Sequence, residues 1–181
     1  MIRYLVICIF FISITNVKAD NKKKIINNLK NTYNFNFNFE QNINGKIETG
    51  NCIIQYPKKI YCEYDNNNKI LVSNGKSLVV KTITSYYQYP IKRTPLDLIL
   101  DKNFLISKIY YLEEKILDES YINYKIVEQD NEINIFFDNQ TFNLIGWQTK
   151  DIYQNLNITF IFSVKTNEVI NKNLFKLPLQ N

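Results

Sequence analysis

Histidine is absent from all 181 residues, and with it go Ser-His-Asp and Cys-His catalysis and the commonest zinc ligand sets. Glycine and proline occur four times each, and nothing resembles a phosphate-cradling glycine loop. Two adjacent acidic pairs, Glu113-Glu114 and Asp118-Glu119, are the candidates left for acid/base chemistry. Neighbours in sequence point apart on a strand and diverge on a helix, and the pattern around them indicates no desolvated cleft. No enzyme activity, metal or cofactor is expected.

What is present at the start of the chain reads as an export signal. Arg3 supplies a positive n-region, Tyr4 to Ile14 is an apolar run too short to span a bilayer comfortably, and Val17-Lys18-Ala19 offers small residues before a cut ahead of Asp20. Cys8 lies early in the apolar run, without the downstream position a lipid-modified cysteine needs. The expected division is residues 1–19 as a cleaved signal peptide and 20–181 as one domain, with an uncleaved signal anchor as the alternative. Removing residues 1–19 takes two of the 22 basic residues and none of the 17 acidic ones, which leaves a charge of +3 on 162 residues. So mild and dispersed a charge gives no stripe for nucleic acid, and the length suits a single core.

Cys52 and Cys62 flank Tyr56-Pro57-Lys58. If that tripeptide is a hairpin tip, the cysteines fall nearly opposite each other, where a cross-strand bridge is sterically possible. The alternative is two small buried apolar side chains on a slipped register.

Asp20 to Tyr33 predicts an amphipathic helix with Asp20 as cap and Ile25, Ile26, Leu29 and Tyr33 on one stripe. The period then changes to two. Phe35, Phe37, Phe39, Gln41 and Ile43 alternate with Asn34, Asn36, Asn38, Glu40 and Asn42, the mark of a half-buried strand. Strands follow at 46–56, 59–64, 69–73, 77–84 and 86–89, separated by Pro57-Lys58, by Asp65 to Asn68 and by Asn74-Gly75. The asparagine runs, Asn66-Asn67-Asn68 among them, read as turns in a chain skewed toward Asn, Ile, Lys and Tyr. Thr94-Pro95-Leu96-Asp97 then predicts a helix start, with Thr94 as cap and Asp97 reaching back to it. Leu96, Ile99 and Leu100 form its apolar side, with further turns over 103–111. Strands resume at 121–129, 132–137, 141–150 and 156–164.

About ten antiparallel strands interrupted by a helical excursion predict a mainly β fold: one unclosed antiparallel barrel covered by helices. Such a cup is either filled by its own side chains or left partly empty for an apolar ligand. By composition alone, the stripe of Phe35, Phe37, Phe39, Phe142, Phe160 and Phe162 reads as core.

Gly50 through Pro57, Ile60-Tyr61, Ile70 through Leu78 and Thr94-Pro95-Leu96 occur in an order and spacing that closely resembles the outer-membrane lipoprotein carrier (LolA) family. The export signal, the helix leading into Phe39-Glu40-Gln41, and Phe175 with Leu177-Pro178 extend the resemblance over nearly the whole mature chain. It implies an incomplete β-barrel with a helical lid, in the periplasm of a Gram-negative bacterium, that carries acylated lipoproteins. Its implied partners are an ATP-driven inner-membrane release complex and an outer-membrane receptor, and a monomer is expected. The acyl cavity so implied draws on Ile25, Leu29, Phe39, Ile54, Ile60, Leu71, Leu78, Leu96, Ile99, Leu100, Leu144, Phe160 and Phe162. Three positions depart from the family pattern. Tyr56 replaces the Arg that precedes the hairpin proline and helps latch the lid; Asn74 replaces an Asp; Cys62 replaces a bulky aromatic. Tyr56 and Arg93, the one Arg left after residue 19, are the latch candidates. The other readings are the lipid-anchored receptor of the same pathway and a secreted β-rich module binding peptide or polysaccharide on its surface.

Overall fold

Alternation of apolar and polar residues builds one curled sheet. The computed structural model describes residues 14–66, 68–128, 131–150 and 154–180, with side chains from Asp20 onward. The predicted export signal and the turn residues Asn67 and Asp130 therefore lie outside the described residues, apart from the helical backbone of 14–19.

Helix α1 (Ile14–Asn31) leads into β1 (Asn34–Ile43), β2 (Lys46–Gln55), β3 (Lys59–Tyr64), β4 (Ile70–Asn74), β5 (Ser77–Lys81) and β6 (Tyr86–Pro90). A 3₁₀ turn (Ile91–Arg93), α2 (Leu96–Ile99) and α3 (Lys102–Tyr111) then cross the cup. The chain returns through β7 (Lys115–Leu117), β8 (Tyr121–Glu128), β9 (Asn131–Asp138), β10 (Leu144–Lys150) and β11 (Leu156–Thr166). The strands form one antiparallel sheet in the order β6-β5-β4-β3-β2-β1-β11-β10-β9-β8-β7, left open between β6 and β7. Those edges are joined through the helices, so the segment that interrupts the meander is also its lid. Ten of the eleven described strands answer to predicted segments; the other, three-residue β7, is too short to show a period.

Two caps differ from expectation. Asp20 lies inside α1, pairing with Lys24 one turn on at 2.5 Å. The Thr94 hydroxyl donates back to the Ile91 carbonyl at 2.8 Å and does not cap α2. Asp101 caps the longer α3, its side chain accepting from the Phe104 N–H at 3.1 Å. At the other end of α3 the Lys22 ammonium donates to the Tyr110 and Leu112 carbonyls, satisfying helix-end acceptors and favouring the dipole. Glu114 is buried beside α1, accepting from Asn21 and from the Tyr124 hydroxyl, both at 3.3 Å. Burial and the Glu114 charge push the Tyr124 phenol well above its usual range.

The concave face is unequally filled. Under β8 and β9 it is solid: Ile122, Tyr124, Ile126, Ile133, Ile135 and Phe137 have almost no exposure and share one cluster with Leu105 and Ile109 of α3. Under β1 to β5 the cover is α2, a single helical turn.

Candidate functional site

Along β1 the inward residues are Phe35, Phe37, Phe39, Gln41 and Ile43, three rings followed by one polar and one aliphatic side chain. The rings stack on one another and on their neighbours. Phe35 lies 5.2 Å from Phe37, Phe37 meets Trp147 edge-on at 6.4 Å, and Phe39 meets Tyr64 at 5.0 Å. Between this stripe, the inner faces of β2 to β5, β10 and β11, and α2 lies a cavity of about 270 Å³. Its apolar part is walled by Phe37, Phe39, Ile60, Leu71, Leu96 and Trp147. A sheet cross-braced by stacked rings cannot collapse onto such a void as a loose core would.

Cys52 and Cys62 stand directly opposite each other on β2 and β3 and form a disulfide that also lines the cavity. The bridge stiffens the strand pair where the family pattern carries an aromatic ring. In the chain-entropy account, closing so short a loop is worth on the order of 2–3 kcal/mol. The double variant Cys52→Ala/Cys62→Ala should therefore unfold at a lower urea concentration, and at a melting temperature about 5–10 °C lower. Identical urea midpoints for the two proteins would remove the brace.

The cavity's far end is polar. Gln41 donates to Asn157 and Thr159 at 3.0 and 3.1 Å and accepts from the Tyr64 hydroxyl at 3.3 Å. Glu48 is held between Lys46 at 2.8 Å and Lys69 at 2.5 Å. Burial works against its charge, but the two ammonium groups outweigh it and keep the carboxyl below its usual range. The Lys69 nitrogen also lies 3.9 Å above the Tyr64 ring. Partly buried Ile43 and Asn157 and exposed Lys150 mark this end as the one that meets solvent.

The lid is fastened at the opposite end, by a residue two places beyond the one expected. Tyr56-Pro57 is a cis peptide, and Lys58 follows with a positive φ of 64° at the β2–β3 tip. From there the Lys58 N–H donates to the Leu100 carbonyl at 2.8 Å, and its ammonium lies 2.9 Å from Asp97 and 3.6 Å from Asp101. Bonding to Asp97, opposed by some burial, raises the Lys58 pKa. A raised lysine pKa means the contact is fully present below the unfolded value near 10.4 and is lost as pH climbs through the folded one, so it holds throughout neutral pH. Asp97, expected to close a capping box, instead receives the latch. Tyr56 packs its ring 5.8 Å from Phe35, and burial, with the Asp101 charge, raises its phenol far above the usual range. Its hydroxyl makes no hydrogen bond to the lid, and exposed Arg93 makes no hydrogen bond or ion pair among the described residues. The bonds to this segment thus come from Lys58 and not from Tyr56 or Arg93.

Of the residues implied for the cavity, Phe39, Ile60, Leu71, Leu96 and Ile99 line it. Ile25, Ile54, Leu78 and Leu100 are buried in the core beside it. Leu29 and Leu144 border a separate gap of about 30 Å³ at the end of α1, room for roughly one water. Phe160 and Phe162 lie on the opposite, outer face, 42% and 50% exposed. Pairing of Glu40 with Phe160 and of Phe39 with Ile161 fixes this: the inward residues of β11 are Asn157, Thr159 and Ile161. Outside, Phe160 stacks on Phe136 at 5.9 Å over Gly146, where a Cβ would sit 3.3 Å from the ring. Sequence reasoning did not assign Phe37, Trp147, Gln41, Tyr64, Thr149 or Thr159 to the cavity. The Phe37 periodicity could have found the first; the polar residues carry no apolar signal.

Among the described residues no helix is long and apolar enough to cross a membrane. A family model described as outer membrane lipoprotein carrier protein LolA matches residues 30–178. No curated protein matches the chain. Among solved structures, an uncharacterized conserved protein from Thermus thermophilus is similar with a TM-score of 0.51 at 7% identity, over 88% of this chain and 94% of that one. A LolA superfamily protein from Nitrosomonas europaea gives a TM-score of 0.46 at 6% identity over 88% and 97% of the two chains. The lipoprotein LppX of Mycobacterium tuberculosis gives 0.47 at 13% identity over 88% and 99%.

Proposed function

The chain belongs to the outer membrane lipoprotein carrier protein LolA family, and from that premise we propose that it is a periplasmic carrier of acylated lipoproteins. It is exported by cleavage after Ala19, loaded by an ATP-driven inner-membrane complex, and unloaded onto an outer-membrane receptor. The observation that supports this most is the apolar cavity of about 270 Å³ standing between a rigid sheet and a one-turn lid. Each acyl CH₂ kept from water is worth about 0.8 kcal/mol, so a lipid anchor crosses an aqueous gap only under cover. A void whose walls do not close around the chain holds it less tightly than a packed core would, which leaves release downhill.

Pull-down of the protein from periplasm, followed by identification of what is bound, should recover acylated lipoproteins and leave their unacylated forms behind. Equal recovery of both forms would overturn the reading. Intact mass separates the carrier from the lipid-anchored receptor of the same pathway: a free N-terminus at Asp20 belongs to the carrier.

At about 30 Å³ per water-sized group, the cavity has room for roughly nine such groups, one chain and not several. An anchor with several chains therefore requires α2 to move, and the Lys58 contacts oppose that. A partly buried ion pair with one charge-assisted bond is worth about 1–2 kcal/mol. Lys58→Met should accordingly raise apparent affinity for a multiply acylated lipoprotein about fivefold or more, because the open lid is more populated. Unchanged capture would show that Lys58 does not hold the lid.

A further inference from the structure

The polar end of the cavity has more binding capacity than its own contacts use. Thr149 is only 7% exposed and lines the cavity, yet its hydroxyl makes no hydrogen bond among the described residues. Lys69, also in the lining, spends one donor on Glu48 and lies over Tyr64, which leaves N–H capacity toward the cavity. Glu48 does not cancel that charge, since it is shared with Lys46, and Lys150 adds a further cation at the rim. Exposed Asp65, which accepts from the Thr49 hydroxyl, offsets one of the exposed cations, so one positive charge is in excess at this end among the described residues, beside a free hydroxyl and the Gln41 amide network. No buried carboxylate other than Glu48 lies at this end among the described residues.

We propose that this end is an oxyanion subsite, which takes the head of a single-chain anionic amphiphile whose tail lies against Phe37, Phe39, Trp147 and the disulfide. Lys69 supplies charge and a donor, Thr149 a second donor, and Lys150 long-range attraction. The head stays at the solvent end, beside the Gln41 network, and the tail enters first, toward the rings of Phe37 and Phe39. At about 30 Å³ per group, the cavity covers about nine carbons of one chain. The same chemistry describes a fatty-acid carboxylate or a phosphate monoester on an acyl chain. This rests on the reading that the cavity takes acyl chains and adds a ligand class to it.

Trp147 is the only tryptophan in the chain and lies in the cavity wall, so its emission reports binding directly. Dodecanoic acid, dodecyl phosphate and 1-dodecanol share one tail and differ in the head. Titrated into the purified protein at neutral pH, the acid, the phosphate or both should bind at least about tenfold tighter than the alcohol, a difference of about 1.4 kcal/mol. The tighter of the two anions identifies the head that the subsite prefers. Lys69→Met and, separately, Thr149→Val should each shrink that preference while leaving dodecanol affinity within about twofold. Thr149→Val, nearly isosteric, keeps the test valid if loss of Lys69 disturbs folding. Dodecanol binding as tightly as both anions, or a preference untouched by both variants, overturns the subsite alone. If none of the three shifts Trp147 emission, the cavity takes no chains, and the carrier reading falls with it.

Discussion

Leu96→Glu should abolish capture of acylated lipoprotein, at least a hundredfold in affinity, while Phe160→Asp should leave capture intact. Leu96 and Ile99 are the residues of α2 that line the cavity, and of the two only Leu96 is partly buried, so a carboxylate there can be tolerated by the fold. Once a chain enters, that carboxylate must either be buried against methylenes, at a cost of several kcal/mol, or hold the lid away and forfeit about 0.8 kcal/mol for each CH₂ left wet. Either route exceeds the roughly 2.7 kcal/mol that a hundredfold loss requires. Phe160 stands on the other side of the same sheet, stacked on Phe136 and exposed to water. Co-purification of acylated lipoprotein with each variant, alongside a melting curve to confirm folding, gives the comparison. Full capture by Leu96→Glu would mean that chains do not lie under α2, and loss of capture by Phe160→Asp would place the ligand on the outer face.

The contrast between these two positions shows how far the amino-acid sequence could be followed. β1 was legible because only one of its faces is apolar: Phe35, Phe37 and Phe39 alternate with Asn and Glu, and all three point inward. β11 was not, because its run of large apolar residues lies on the outer face while its inward face is mostly polar. Leu156, Ile158, Phe160 and Phe162 make the longer alternation, but the inward set is Asn157, Thr159 and Ile161. The faces are set by register with β1 and β10, and 14 residues earlier Gly146 leaves room for the Thr159 carbonyl, which a Cβ would approach to 2.4 Å, and for the Phe160 ring at 3.3 Å. A single strand's periodicity holds no such information. The unclosed barrel and its lid were legible from the hairpin turns and the Thr94-Pro95 break, and the opposed positions of Cys52 and Cys62 followed once the tip at Pro57 was assumed. The latch was not legible. Tyr56 was singled out by family resemblance, but the turn rotates Lys58, with its positive φ, toward Asp97 and Asp101. Lysine in a turn is ordinarily a solvated residue, and nothing in the local sequence distinguishes this one.

The second large effect concerns the wall itself. Gly50 sits on β2 opposite Phe39 of β1 and Tyr64 of β3, on the inward face. A Cβ built there would lie 2.1 Å from the backbone carbonyl oxygen of Glu63 and 2.9 Å from the Phe39 ring. The ring could turn aside, but the carbonyl belongs to the neighbouring strand and can yield only if the sheet deforms. This glycine is thus required for space, not for a special backbone angle: it lets β3 lie close and lets the Phe39 ring seat against Tyr64 at 5.0 Å. Gly50→Ala should therefore destabilise the fold by about 3–5 kcal/mol, well above an average substitution, and lower the melting temperature by roughly 10 °C or more. The loss should also reach function, since moving the Phe39 ring or spreading β2 from β3 distorts the part of the wall that the disulfide braces. Trp147 emission and thermal melting, measured on the same sample, separate the two consequences. A Gly50→Ala protein that melts within about 2 °C of the parent, by the same size-dependent conversion, would mean that β2 and β3 are not packed as closely as described, and the rigid-walled cavity on which the carrier reading depends would lose its physical basis.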